Sequence, residues 1–410
     1  MASHRARNCD HNRLVLRSKQ FNFNQLRANT SKQGRDVYPT SRICLRARLV
    51  VFLVIVQSIL LLTHWFIYST WTSFRGIPDA PGSQIAVGLL AFSFVAASLL
   101  SFRIANPVVR GFYRLAAVWL GAVNFLFLAA CACWVVYFAV MLAGLHVDRA
   151  WLAEGLFGLA VLATAYGVVN ARSIRVRRIR VELPNLPAQW SGRVAGLVSD
   201  VHLGPVNGAA FLRRVVAKVG ALKPDVVFLT GDLYDGTAID AEREASPLKD
   251  LSVPLGAYFV TGNHEEFSDP SRYLAAVRSV GVRVLQNEKV VIDGLQVIGV
   301  PDHASANAQR FRSMLESLSI DRELPSIFLS HAPHALSIPE QAGISLQLSG
   351  HTHGGQVFPF TWFTRRIFRK YTYGLQRFGQ MLIYTTTGAG TWGPPLRVGT
   401  QPEIVLIEFA

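Results

Sequence analysis

The 410-residue sequence predicts an α-helical four-span membrane domain followed by an α/β domain of short strands and intervening helices. Three observations carry this reading. Four apolar runs with hardly a charge inside them follow one another between residues 49 and 170, and each is about 20 residues or longer, enough to cross a hydrocarbon core of roughly 30 Å as a helix. From Arg193 onward the apolar runs become short and end in polar residues, as buried strands do. Between the first two of these short runs, apolar residues recur at helical spacing.

Taken in order, residues 1–48 form a basic arm with 11 Lys and Arg, including Arg42, Arg46 and Arg48 beside the first apolar run. The spans are expected at about 49–68, 83–102, 115–142 and 151–169, and four in succession argue against buried core helices. A cleaved signal peptide is not expected, because the first run begins only after residue 48 and is too long for an h-region. Arg5 and Arg7 are split by Ala6 and lack a short apolar stretch behind them, so they do not make a twin-arginine signal. Basic residues alternate between loops. Arg103, Arg110 and Arg114 follow the second span and Arg172, Arg175, Arg177, Arg178 and Arg180 the fourth, whereas 71–82 and 145–150 hold one Arg each. The positive-inside rule then predicts a multi-pass protein of the inner (plasma) membrane, with both termini and the α/β domain in the cytoplasm.

Much of the formal net charge of +15 is thereby topological. The basic residues gather at membrane edges and not along one soluble surface, so the phospholipid bilayer is the expected partner and nucleic acid is not. Cys131 and Cys133 sit inside the third span as small apolar residues, Cys9 and Cys44 lie in the arm, and residues 193–410 have none, which suits a reducing compartment.

Residues 171–192 read as a basic linker, with Pro184 and Pro187 breaking regular structure, and 193–410 as the α/β domain. Strands are expected at Val194–Val198, Val226–Leu229, Ala257–Val260, Ile327–Leu329 and Leu346–Leu348, and helices at Gly208–Leu222 and Ser271–Val280. Gly294–Val300 and Ile404–Phe409 are expected to supply a second sheet. Each of the five strands ends just before a polar fragment: Ser199-Asp200-Val201-His202, Gly231-Asp232, Gly262-Asn263-His264-Glu265, Ser330-His331 and Gly350-His351-Thr352-His353-Gly354-Gly355. Ligands of open α/β layers gather beyond the carboxyl ends of strands, where all five fragments fall. Asp, Asn and His offer oxygen and imidazole donors without thiolates, the set that holds a pair of divalent first-row metals. One such fragment arises by chance; five in this order do not.

The five fragments together resemble the calcineurin-like metallophosphoesterases. The run Leu348 to Gln356 and the ending Arg397 to Ile404 are similar to a bacterial branch that includes membrane-linked phosphodiesterases. The resemblance implies a four-layer α/β/β/α sandwich and two divalent metal ions, Mn, Fe, Zn or similar. It implies that Asp200, His202 and His353 hold the first metal, that Asn263, His331 and His351 hold the second, and that Asp232 bridges them. His264 is implied beside the phosphate as the catalytic group, and imidazole exchanges protons near neutral pH. Asn263, being neutral, adds no charge against an anionic substrate. The activity implied is hydrolysis of a phosphodiester or pyrophosphate, and similarity to enzymes acting on a nucleotide-linked lipid A precursor makes a UDP-diacylglucosamine-like lipid one candidate substrate. Alternatives are a general phosphodiesterase or phosphatase on soluble substrates, and a membrane scaffold or sensor that only binds.

Outside that set, His303 and His334 are expected to be structural or at the surface, and Asp235 and Glu265 to orient ligand histidines. Arg397 either contacts a phosphate or braces the carboxyl-terminal turn. Phe358–Tyr373 interleaves aromatic residues with Arg365, Arg366, Arg369 and Lys370, a composition that fits either the interface of an anionic bilayer or a buried hairpin with solvated arginines.

Overall fold

Four long helices lead the chain. This computed structural model describes residues 39–267 and 269–410; residues 1–38, most of the expected arm, lie outside the described residues. The helices are α1 Pro39–Arg75, α2 Pro81–Ser101, α3 Pro107–Leu142 and α4 Arg149–Asn170. All four, counted from Val50 in α1, are long and apolar enough to cross a membrane. Their starts are written locally. Proline opens α2 and α3, Asn106 caps α3 by accepting from Val109 N at 2.8 Å, and Asp148 caps α4 by accepting from Trp151 N at 3.0 Å. Inside the bundle the buried positions are mostly small, among them Ala129, Ala130, Cys133, Ala153 and Ala160, which lets helix backbones approach closely. Leu62, Leu89, Val135 and Leu162 point outward and exposed, as a lipid-facing surface requires.

Two six-stranded sheets follow. The first runs in the order β1 (Arg175–Val181), β12 (Glu403–Phe409), β2 (Val194–Val198), β3 (Val226–Thr230), β4 (Ala257–Val260) and β5 (Arg283–Val284). The second runs β10 (Gly374–Phe378), β11 (Met381–Thr385), β9 (Leu346–Ser349), β8 (Ser326–Leu329), β7 (Leu295–Gly299) and β6 (Glu288–Ile292). Strands β2 to β5 are parallel, as are β11, β9, β8 and β7. Three cores divide the layers. Ala195, Phe228, Val260, Val297, Leu329 and Leu348 pack between the sheets. Helices α5 (Ala209–Ala221) and α7 (Ser271–Ser279) cover the first sheet, joined by the short α6 (Ala241–Ala245); α8 (Ala308–Ser317) and α9 (Ser337–Gln341) cover the second. The result is the α/β/β/α sandwich. The periodicity of α5 is the helical stripe of the sequence, with Phe211, Leu212, Val215, Val216 and Val219 all buried.

Two expectations need correction. Glu403–Phe409 does not join the second sheet; β12 inserts into the first, antiparallel to β2 through Val405↔Leu197 and parallel to β1 through Arg175↔Glu403. Six of its seven residues are buried, so alternation could not indicate which sheet it joins. The stretch expected as linker contains β1, a strand whose exposed Arg175, Arg177, Arg178 and Arg180 suit a sheet edge that must not pair further.

The α/β half is bonded directly to the bundle. Arg397 N donates to Gly167 O and Asn170 Nδ2 to Arg397 O, both at 2.9 Å, and Ala238 N donates to Ser101 O at 3.1 Å. At Gly121 the approach is so close that a Cβ would stand 2.1 Å from Leu396 Cδ2, so a larger residue in α3 there would have to displace the Leu396 side chain.

Candidate active site

The loops that leave β2, β3, β4, β8 and β9 converge at one place, tied by main-chain bonds. Asp200 N donates to Gly231 O, His202 N to Asp232 O, and Gly350 N to His331 O, at 3.1, 3.0 and 2.8 Å. Gly350 passes so near β2's loop that a Cβ would lie 2.1 Å from Ser199 Oγ and 2.2 Å from Asp200 Oδ2. Asp200, His202, Asp232, His351 and His353 all take left-handed backbone, with φ between 48° and 71°. Non-glycine residues rarely accept this conformation, and where they cluster the surrounding structure is holding side chains at a chosen point.

The donor atoms meet as two sets that share Asp232. His202 Nε2 faces His353 Nε2 at 3.0 Å, and His353 Nε2 is 3.3 Å from Asp200 Oδ1. On the other side, His351 Nδ1 lies 2.9 Å from Asn263 Oδ1 and 3.2 Å from His331 Nε2. Asp232 Oδ2 stands 3.1 Å from His331 Nε2 and 3.8 Å from His202 Nε2, reaching both. His264 completes the ring, its Nε2 4.0 Å from the same oxygen, its Nδ1 2.9 Å from Asp235 O and its main-chain N donating to Asp232 Oδ1 at 2.9 Å.

Burial drives the electrostatics. It pushes His202, His351 and His353 well down, His351 to about 3, with neighbouring imidazoles adding to the effect. It raises Asp200 to about 6. For Asp232 burial acts upward, but His331 and His264 outweigh it and hold the carboxyl well below its ordinary range. For His331 burial acts downward, and Asp232 outweighs it, so this imidazole is pulled up.

These residues fit divalent cations. Each of the groups Asp200–His202–His353 and Asp232–His331–His351 brings its donor atoms within 4.8 Å of one another, and His202, Asp232 and His264 form a third such group. Two imidazole nitrogens aimed at each other at 3.0 Å share one donor at most while neutral, whereas a cation satisfies both lone pairs. The donors are oxygen and nitrogen alone.

Residues beyond this set sort by contact. Glu265 does not touch a histidine; it accepts from Asp232 N, Tyr234 N and Gly262 N at 3.0, 2.8 and 2.7 Å, fixing two loops through their backbone. The Asp235 carboxylate binds Thr237, and only its carbonyl meets His264. Arg397 is the brace of the two readings: fully buried, it donates to the carbonyls of Thr387 and Gly390 at 2.7 and 2.6 Å and lies 3.2 Å from His353 Nδ1. His303 pairs with Glu266 at 3.0 Å. His334 sits at the margin, its ring 5.7 Å from that of His351.

The sequence reading missed the aromatic rim. Phe267 and Trp392, both more than half exposed, flank His264 with ring centroids 4.4 and 5.6 Å away. A lone Trp within Gly388-Ala389-Gly390-Thr391-Trp392-Gly393 was the available signal. Phe358–Tyr373 is not a hairpin. It contains helix α10 (Phe360–Phe368), which exposes Phe360, Trp362, Phe363 and Ile367 and ends with the Phe368 ring tilted beside that of His334, centroids 5.2 Å apart.

Known proteins are similar to this chain over the same segment. A family model described as calcineurin-like phosphoesterase matches residues 195–355, the segment that holds all five loops. The transmembrane protein with metallophosphoesterase domain of Danio rerio is 33% identical over 282 residues, 62% of this chain and 64% of that protein. Uncharacterized metallophosphoesterases of Campylobacter jejuni and Aquifex aeolicus are 30% and 31% identical, over 62% and 61% of this chain and 68% and 97% of their own lengths. The chain thus spans just under two thirds of the Danio rerio relative and nearly all of the Aquifex aeolicus one. With metal-fitting Asp and His clusters on the loops the family model covers, and a relative matched almost end to end, the chain belongs to the calcineurin-like phosphoesterase family.

Proposed function

We propose that this membrane protein is a dinuclear-metal-dependent phosphoesterase that hydrolyses a phosphodiester or pyrophosphate carried by a lipid or a nucleotide-linked lipid precursor, UDP-diacylglucosamine-like in class. The observation that carries it is Asp232 Oδ2, between His331 at 3.1 Å and His202 at 3.8 Å. A carboxylate there would serve two cations at once. Asp200, His202 and His353 would hold one, and Asn263, His331 and His351 the other. Bound divalent cations supply charge against the phosphoryl oxygens and a water nucleophile at neutral pH.

The chain's own groups do the rest. His264 Nδ1–H donates to Asp235 O, which leaves Nε2 turned into the site; in the imidazolium form the ring gives its Nε2 proton to the departing oxygen and returns to neutral. Asn263 contributes an oxygen without charge. Thr230 O accepts from His331 Nδ1 at 2.8 Å and Arg397 holds the loop behind His353, so both rings keep their aim.

The lipid-borne substrate is favoured by α10. Phe358, just before it, accepts through its carbonyl from Asn124 of α3 at 2.9 Å, while Phe368 at its other end reaches the site. The exposed aromatics between these points, with Arg365 and Arg366, suit a membrane interface beside the bundle. The basic residues of the loops support a cytoplasmic face for the site.

The full chain purified with Mn²⁺ should hydrolyse bis-nitrophenyl phosphate. Asp232→Asn should abolish this and lower occupancy of both metals. Two metals per chain in that variant, by elemental analysis, would refute the shared role.

A further inference from the structure

A second site lies at the seam between the bundle and the α/β half. A cavity of about 570 Å³ opens there, lined by Arg110, Arg114, Arg172, Arg214 and Arg243 with Glu244 as its one acidic residue. Glu244 is already used: Oε1 accepts from Arg110 Nη2 and Oε2 from Ala209 N, each at 2.5 Å. Arg114 gives its Nε and Nη2 to the carbonyls of Pro205 and Val206, at 2.8 and 3.1 Å. The guanidinium groups of Arg172, Arg214 and Arg243 have no hydrogen bond or ion pair among the described residues, though Arg214 lies over the Phe211 ring.

Orientation in the membrane accounts for only part of this charge. Arg110, Arg114 and Arg172 flank spans, but Arg214 belongs to α5 and Arg243 to α6, far from any span in sequence, and only the fold brings them to the seam. Guanidinium forks match phosphate oxygens in pairs, and a phosphate is the compact anion that several of them can share. The same cavity is walled by Val118 of α3 and Val168 of α4, next to exposed Leu115 and Val169 on those helices. Charge for a headgroup thus adjoins an apolar flank for a chain.

We infer that this cavity binds the phosphate of an anionic phospholipid headgroup at the junction of the membrane and α/β halves, as basic pockets between membrane helices do. It is separate from the metal-fitting residues and does not depend on the proposed hydrolysis. A bound lipid would bridge α3 and α4 to α5 and α6, and would sit behind the loop that carries His202, since Asn207 of the cavity wall donates to Val201 O at 2.9 Å.

The test is thermal melting of the full chain in neutral detergent, titrated with short-chain phosphatidylglycerol, short-chain phosphatidylcholine or inorganic phosphate. The wild type should be stabilised by phosphatidylglycerol well below the concentration at which phosphatidylcholine acts. In a triple variant, Arg172→Gln, Arg214→Gln and Arg243→Gln, half-maximal stabilisation should need at least about tenfold more lipid, since loss of one charge-assisted hydrogen bond alone approaches that factor. If inorganic phosphate reproduces the wild-type shift and the triple variant loses it, the site stands and its ligand is free phosphate. Should the triple variant not purify, Arg243→Gln alone is read in the same titration, with a smaller shift in the same direction. Equal lipid dependence in variant and wild type, or no preference for phosphatidylglycerol in the wild type, overturns the inference.

Discussion

At the scale of the residue, His264 and His331 are the two imidazoles on Asp232 whose roles diverge. His264 is anchored through Nδ1 to the carbonyl of Asp235, and on the proposed function it handles a proton and does not hold a cation. His264→Ala should keep both metals and lose roughly two to four orders of magnitude in rate, the range a general acid supplies. Loss of metal from that variant by elemental analysis would make His264 a ligand. His331 stands at 3.1 Å, where Asp232 overcomes burial and pulls the imidazole well above its ordinary range. His331 therefore holds its second proton more tightly than a free imidazole does, and a cation must displace it. Metal affinity should rise with pH until His331's raised pKa is passed, and loading at neutral pH should release protons. Calorimetric titration in buffers of differing ionisation heat measures this; a binding heat independent of buffer would show that no proton leaves.

At the scale of the element, α10 is the part whose composition has two uses. Its aromatic residues face out, its arginines share that surface with Arg366 over the Trp362 ring, and its far end touches His334 and His351 through Phe368. On the proposed function, a helix of this kind at the interface would feed the site from the bilayer. Replacing Arg365, Arg366, Arg369 and Lys370 with Gln should lower activity on a lipid pyrophosphate in anionic vesicles while hydrolysis of a small soluble diester survives. Equal loss on both substrates would mean that α10 only supports the fold around Gly355, whose φ of 85° tucks against Thr361.

At the scale of the whole molecule, four candidate spans and the alternation of basic loops would, on the proposed orientation, return the α/β half to the side of the amino terminus. A cytoplasm-active reporter fused after Ala410 should be active and an export-dependent one silent. The reverse pattern would overturn the cytoplasmic orientation and, with it, access to a precursor made inside the cell. The seam gives this topology a mechanical consequence, since Arg397, which braces His353, also donates its main-chain N–H to Gly167 of α4. Membrane helix and active-site loop share one residue.

The sequence by itself determined what local pattern can express. Apolar length marked the four helices, and the helical stripe of Phe211 to Val219 marked α5. Short apolar runs ending in Asp, Asn and His named the loops. Donor chemistry is a property of residue type, so the candidate cation ligands could be read one by one. Tertiary structure decided what depends on distant partners. It put β12 between β1 and β2, because a strand buried on both faces has no alternation to reveal its neighbours. It gave Glu265 to three main-chain N–H groups and Arg397 to carbonyls, because a charged side chain's partner is set by where the backbone ends unsatisfied. And it gathered Arg110, Arg172, Arg214 and Arg243 around one cavity, residues separated in sequence by as much as a whole domain, whose shared charge exists only once the chain has folded.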